Sequence, residues 1–301
     1  MSVLDRPTDV GQLRPSQTAE ITCAQRAGET LRPADRRLID DPVARVFVTR
    51  PLRRLMVRNR VTSRLTLRTF DHLYGGFMAI VLLRNRWFEE LLAELVSDGV
   101  TQVVSLGAGY DTTAWRLDLG GATLFEVDAP PTQELKRSLT RGLEPRGDLR
   151  YVACDFETDS LPERLLEAGF DPTRPALFVW YGVSFFLTPA AVRVTLEDVA
   201  GLAAVGSRFV WDYLDPSVVD GTTRYRGALR ARAAVAKRGE PYTYGLTADG
   251  AEKVMELHGF RVEDNLSMAQ LAGRYGGPRG FAYSTDDFFG IVTGVRVRDV
   301  P

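Results

Sequence analysis

The chain has 301 residues, 45% hydrophobic and 26% charged, with a formal net charge of −1. That length suits one large α/β domain with an added subdomain. The near-neutral balance offers no electrostatic footprint for nucleic acid or an anionic membrane. Cys23 and Cys154 have neither CxxC spacing nor an adjacent His, which argues against a zinc site. Two free thiols fit a reducing cytoplasm.

The opening run MSVLDRPTDV carries acidic residues and no apolar stretch, so it does not read as a signal peptide. A helix is predicted from Ser16, which can cap it ahead of Ala19, Ile21 and Cys23. Arg32-Pro33 and Asp41-Pro42 punctuate the chain. Residues 43–72 then mix many arginines with Val46, Phe47, Leu52, Leu55, Met56, Leu65, Leu67 and Phe70, the pattern of short amphipathic helices. The apolar run 77–83 is too short to span a bilayer. A further helix carries Trp87, Phe88, Leu91, Leu92, Leu95 and Val96 at helical spacing.

From there apolar runs at 103–106, 123–127, 151–154, 177–180 and 209–213 alternate with helical stretches at 112–119, 132–141, 161–168 and 189–204. Alternation of that kind predicts a mostly parallel sheet covered on both faces. A helix over 247–258 stops at Gly259, and two last strands, 261–266 and 288–297, are expected as an antiparallel pair. Residues 214–245 break the rhythm with Arg224, Tyr225, Arg226, Arg230, Arg232, Tyr242, Tyr244 and Gly245. They follow the fifth strand at the carboxyl edge, where open α/β sheets bind ligands. A lid over that edge and a solvated surface helix are both open readings.

Three signals meet at the sheet edge. Gly107-Ala108-Gly109 follows the first strand; a glycine there allows positive φ and close approach of a ligand to the backbone. Glu126 and Asp128 end the second strand on one side of it, and a carboxylate at that distance can accept both hydroxyls of a ribose. Cys154-Asp155-Phe156 ends the third, offering a hydrogen bond and a ring to an adenine. Together they point to a nucleoside-containing cofactor. Position 112 is Thr where a dinucleotide fold wants its third glycine, which counts against NAD and FAD. S-adenosylmethionine fits better, since its sulfonium is comfortable beside carboxylates and aromatic faces such as Tyr181, Phe185 and Phe186.

The runs VVSLGAGYDTTAWRL, FEVDAP, VACDF and VWYGVSFFLTPAAV resemble the leucine carboxyl methyltransferase family, in its bacterial branch of O-methyltransferases acting on polyketides and other secondary metabolites. The segment TAEITCAQRAGETLRPADRRLIDDPVARVF and the run Arg68-Thr69-Phe70-Asp71 share the resemblance, which covers residues 16–213. It implies a Rossmann-like class I methyltransferase fold: a mostly parallel seven-stranded sheet with an antiparallel last strand. Residues 1–98 would form an N-terminal helical cap, and 99–301 the cofactor-binding domain with 214–245 as an insertion. It also implies that Gly107, Ala108 and Gly109 line the methionine part of S-adenosyl-L-methionine. Asp128 would hold the ribose, and Asp155 and Phe156 the adenine. Arg68, or Arg64 as the alternative, would pair with the cofactor carboxylate. Asp111 and Arg116 would tie the turn to the sheet. The family usually has Glu where this chain has Tyr181, so Tyr181 is a candidate at the methionine end and in the chemistry.

The activity expected is O-methylation of a small molecule. A carboxylate acceptor, ionised at neutral pH, needs no general base, whereas a phenol does. The two histidines are His258, at a helix end, and His72, the candidate base. That shortage favours a carboxylate. Tyr242, Tyr244, Tyr275, Trp180, Phe185 and the Arg-rich stretch 224–238 are candidates for an aromatic pocket with cationic grips, suited to an aromatic or polyketide acid. The alternatives are a cofactor-binding protein or a non-methylating catalyst on the same fold, a phenol methyltransferase using His72, and a nicotinamide-dependent reductase. No nucleic-acid or membrane partner is expected.

Overall fold

The computed structural model describes residues 17–276 and 286–297; Ser16, the predicted cap, lies outside them. Helix α1 (Gln17–Thr30) is followed by a 3-10 turn at Val43–Phe47, then α2 (Arg50–Met56) and α3 (Arg60–Leu73). Asn59 caps α3, its side chain accepting from the N–H groups of Val61 and Thr62 at 3.0 Å each. Gly75 and Gly76, with φ of 64° and 85°, turn the chain into α4 (Phe77–Ser97). The helix expected around Trp87 therefore begins at Phe77 and takes in the apolar run.

The alternating part runs β1 (Gln102–Leu106), α5 (Thr113–Arg116), β2 (Thr123–Asp128), α6 (Pro130–Leu139), β3 (Leu149–Ala153), α7 (Leu161–Glu167), β4 (Leu177–Trp180), α8 (Pro189–Leu202) and β5 (Arg208–Leu214). Then come α9 (Pro216–Asp220) and α10 (Arg226–Ala236) within the insertion, α11 (Ala248–Leu257), β6 (Phe260–Ser267), α12 (Met268–Tyr275) and β7 (Phe289–Arg296). Helix α5 is shorter than the 112–119 expected. The chain leaves it at Leu117, extended at φ −98° and ψ 148°, and turns at Gly120, whose N–H the Asp118 side chain accepts at 2.9 Å.

The sheet order is β3-β2-β1-β4-β5-β7-β6, and β7 is antiparallel to both neighbours. This is the mostly parallel seven-stranded sheet expected. Strand order reverses between β1 and β4, the place where such sheets hold ligands. Register decides what meets there. Leu106 lies opposite Val127 on one side and Trp180 on the other, so residues 107, 128 and 181 emerge side by side.

Side chains alternate across the sheet. Leu106, Phe125, Phe178 and Trp180 pack with residues of α7, α8 and α11 on one face. Val103, Leu124, Leu177 and Val179 pack on the other with α1, α4 and the 3-10 turn. The N-terminal helices thus share one core with the sheet and roof its carboxyl edge. Among the described residues no helix is long and apolar enough to cross a membrane.

Candidate functional site

A cavity of about 410 Å³ opens at the carboxyl ends of β1, β2, β3 and β4. The turn after β1 forms its floor. Gly107 has φ of 67°, and a Cβ there would sit 2.2 Å from a methyl of Val183, so only glycine fits. The Gly109 N–H donates to the Asp128 carboxylate, which also accepts from the Ala129 N–H at 2.7 Å. Burial raises the Asp128 carboxyl above its ordinary range, and these two donors, with Lys136, pull against the rise. Asp155 closes a turn by accepting from the Glu157 N–H at 3.0 Å, and the ring of Phe156 leans on Trp180 at 6.4 Å.

A second cluster stands at the end of β4. Arg84 of α4 reaches across to Asp212, at the centre of buried β5, with a contact of 2.5 Å. Asp212 is 1% exposed and also accepts from the Gly182 N–H at 2.8 and 3.1 Å. Burial raises its carboxyl, against the pull of Arg84. The Arg84 guanidinium lies 5.0 Å over the ring of Tyr181, and Phe88 meets that ring edge-on at 6.0 Å. Burial drives the Tyr181 phenol well above its ordinary value. The Tyr181 hydroxyl and the Arg84 Nε are both buried with no hydrogen-bond partner among the described residues.

Beneath the glycine turn runs a buried charge network. Arg26 donates to the Tyr110 carbonyl at 2.6 Å and lies 3.4 Å from Asp41. Asp41 accepts from the Thr112 hydroxyl at 2.7 Å and faces Arg116 at 3.5 Å, while Arg116 pairs with Glu89 at 2.7 Å. For Asp111, burial alone would raise the carboxyl, but Lys136 and Arg26 outweigh it and hold the group low. Asp111 and Arg116 thus tie the turn to the N-terminal helices, not to the sheet alone. Glu126 is buried at 1% exposure and pairs with Lys136 of α6 at 2.6 Å behind Asp128; burial pushes it up to about 7.

The structure brings Gly107, Ala108, Gly109, Asp128, Asp155, Phe156 and Tyr181 together around one cavity, with Phe185 and Phe186 beside them. It does not bring Arg68, Arg64 or His72 there: none lines the cavity, and all three are exposed. The reason is helical phase. Helix α3 buries Ser63, Leu67 and Asp71, and each of the three expected residues follows a buried one by about 100° of rotation. Among the described residues the arginines that line the cavity are Arg84 and Arg26. Sequence reasoning missed Arg84, although a cation closing the apolar run 77–83 needs a partner; Asp212 in a buried strand was the matching signal. Trp180, Tyr244 and Tyr275 stand outside the cavity too: Trp180 is fully buried under the sheet, Tyr244 stacks on Trp211, and the Tyr275 hydroxyl donates to Glu90 at 2.8 Å. His258 caps α11, its Nδ1 2.7 Å from the Val254 carbonyl. The segment after α10 supplies Glu240, which accepts from Thr18 of α1 at 2.5 Å; both line the cavity.

An open carboxyl edge at a strand-order reversal, with a glycine turn and carboxylates on consecutive strands, defines a nucleoside-binding α/β protein of the methyltransferase type. Comparison with known proteins narrows this. The sequence pattern described as leucine carboxyl methyltransferase matches residues 19–200. A relative from Mycobacteroides abscessus is 34% identical over 275 residues, covering 86% of this chain and 83% of its own. Another, from Mycolicibacterium smegmatis, is 32% identical over 216 residues, covering 65% and 72%. Both carry the name of an S-adenosyl-L-methionine-dependent methyltransferase. A methyltransferase structure from Thermobifida fusca shares the fold with a TM-score of 0.55 at 14% identity, over 95% of this chain and all of that one. A DUF574 family protein from Streptomyces avermitilis matches with a TM-score of 0.55 at 17% identity, over 77% and 97%. The chain belongs to the leucine carboxyl methyltransferase family and is thereby an S-adenosyl-L-methionine-dependent methyltransferase.

Proposed function

We propose that the chain transfers a methyl group from S-adenosyl-L-methionine to a carboxylate oxygen of a small aromatic or polyketide-like acid. The observation that carries this reading is the lining of one cavity by Gly107, Asp128, Asp155 and Arg84. Asp128 would take the ribose hydroxyls and Asp155 with Phe156 the adenine. Gly107 through Gly109 would lie along the methionine part. Arg84 takes over the carboxylate role expected of Arg68, since its buried Nε is a donor in need of an acceptor. A volume of about 410 Å³ lies in the ordinary range for small-molecule sites.

Bound there, the cofactor supplies an electrophilic methyl whose carbon–sulfur bond breaks as the acceptor oxygen bonds to carbon. The chain's own contribution is alignment, which can be worth about 7–11 kcal/mol. No histidine lines the cavity among the described residues. A carboxylate with an ordinary pKa of about 4 arrives ionised and asks for no proton transfer. The rings of Phe185 and Phe186 wall the cavity and keep water from the reacting atoms.

The test is calorimetry with S-adenosylhomocysteine, followed by mass spectrometry of products from matched panels of aromatic acids and phenols. Methyl esters formed at a rate flat between pH 6 and 9 are expected. Products on phenols alone, with a pH limb near 6–8, would overturn the carboxylate reading. Cofactor binding without any methylated product would favour a protein that does not methylate.

A further inference from the structure

Beside the cofactor cavity lies a second hollow of about 40 Å³, walled by α1, α3, α4 and α10. Thr18 and Phe77 border both spaces, so the two adjoin. On one wall the rings of Phe70 and Tyr74 stack at 5.7 Å and 28°. Helix α10 presents Ala231 and Ala234 to the same space. An aromatic wall and a wall of alanines bound a slot suited to a flat group.

Two residues that border that slot carry buried polar atoms with no partner among the described residues. Gln25 is 1% exposed and its side-chain oxygen accepts nothing; Tyr242 is 6% exposed and its hydroxyl bonds to nothing among the described residues. Each such group left unmet costs about 1–3 kcal/mol. A packed chain rarely leaves two of them in one apolar hollow unless something enters. Between them they offer a donor and an acceptor. The space admits the polar edge of a ring, not a whole ring system.

We propose that this hollow recognises the far end of the methyl acceptor: a hydroxyl or carbonyl on an aromatic ring, hydrogen-bonded by Gln25 and Tyr242, with the acceptor's carboxylate pointing back into the cofactor cavity. The proposal rests on the methyl-transfer reading above and adds the acceptor's chemistry. Neither Gln25 nor Tyr242 lines the cofactor cavity, so the slot tunes the acceptor without touching the cofactor.

The probes are 2-naphthoic acid and 6-hydroxy-2-naphthoic acid, titrated into the full chain saturated with S-adenosylhomocysteine. The hydroxylated acid should bind about tenfold more tightly. Tyr242→Phe should remove most of that preference, and Tyr242→Phe with Gln25→Leu all of it, at unchanged S-adenosylhomocysteine affinity; that affinity also reports that the variants fold. Ala234→Phe, which fills the slot, should weaken the hydroxylated acid alone. Equal binding of the two acids, binding of neither, or a preference that survives in the double variant overturns the proposal. Failure of the methyl-transfer reading is seen separately, as loss of S-adenosylhomocysteine binding or of ester formation from 2-naphthoate.

Discussion

Arg84 and Asp212 illustrate how much rests on single buried charges. Asp212 is out of water and the Arg84 side chain is 13% exposed, so the buried carboxylate is tolerable only because the cation is there. Arg84→Met leaves Asp212 buried without its cation and should cost about 3–5 kcal/mol in urea unfolding. Arg84→Met with Asp212→Leu should recover most of that loss yet still fail to bind S-adenosylhomocysteine tightly. Recovery of stability together with full affinity would show that Arg84 has no part in holding the cofactor. Glu126 gives a pH signature. Its folded-state value of about 7 lies above the ordinary 4.5, so the folded chain holds the extra proton. Its contribution to stability is therefore full below about pH 4.5 and declines as pH rises to about 7. Glu126→Gln should flatten that part of the stability–pH curve; an unchanged slope in denaturant titrations at each pH would refute it. At this scale the sequence was legible where strand position alone decides which residues reach the cavity. Gly107, Asp128 and Asp155 sit at strand ends, and strand ends are readable from apolar runs. Arg68 was misplaced because a motif-like run says nothing about which side of a helix faces inward.

The elements were legible wherever pattern and tertiary demand agreed. All seven strands fall where the sequence put them: β1, β2, β4, β5 and β7 are buried on both faces and have no polar phase to hide, whereas β3 and the polar β6 are partly exposed. The helices after residue 43 were visible as amphipathic, but the long reach of α4 was not, because a helix buried on most sides loses its period. Residues 43–70 contain eight arginines and no acidic residue, so the remainder of the chain carries −9. The net charge of −1 conceals this separation. Arg50 and Arg54 on α2, and Arg60, Arg64 and Arg68 on α3, are all exposed and give like-charge neighbours four residues apart. Three such pairs cost about 1 kcal/mol together when unscreened. Raising salt from 0.01 to 0.15 M shortens the screening length from about 30 to about 8 Å. The melting temperature should rise by about 2–4 °C over that range. Arg64→Glu makes two of the pairs attractive and should abolish or reverse the rise. A wild-type melting point indifferent to salt would mean the repulsion is already relieved.

At the scale of the whole molecule, the site belongs to no single stretch of chain. Arg26, Arg84, Asp128, Asp155 and Glu240 all line one cavity, and they span more than two hundred residues of sequence. This is why the residues of the sheet edge could be read in advance, while of the roof only its segments could be, the helical cap and the 214–245 insertion: strand ends announce themselves locally, whereas the cavity-lining residues of α1 and of the segment after α10 are set only once the two fold against each other. Among the described residues a hydrogen bond from Thr18 to Glu240 joins them, and Thr243, whose N–H donates to the Phe185 carbonyl at 2.8 Å, ties the segment to the chain after β4. A cofactor in the cavity would touch the sheet edge, α1 and Glu240 at once and so would join roof to floor. At one hundred times its dissociation constant a ligand adds about 2.7 kcal/mol of stability. That gain should be unequal across the molecule. Hydrogen exchange with saturating S-adenosylhomocysteine should slow most in α1 and in residues 240–246, well beyond any change in α7 and α8 on the far face of the sheet. Thr18→Ala should speed exchange in both roof segments of the free protein, and cofactor should restore most of the protection. If protection instead appeared only at residues 107–111 and 128–129, the cofactor would rest on the sheet without engaging the roof, and the 214–245 insertion would have no part in closing the site.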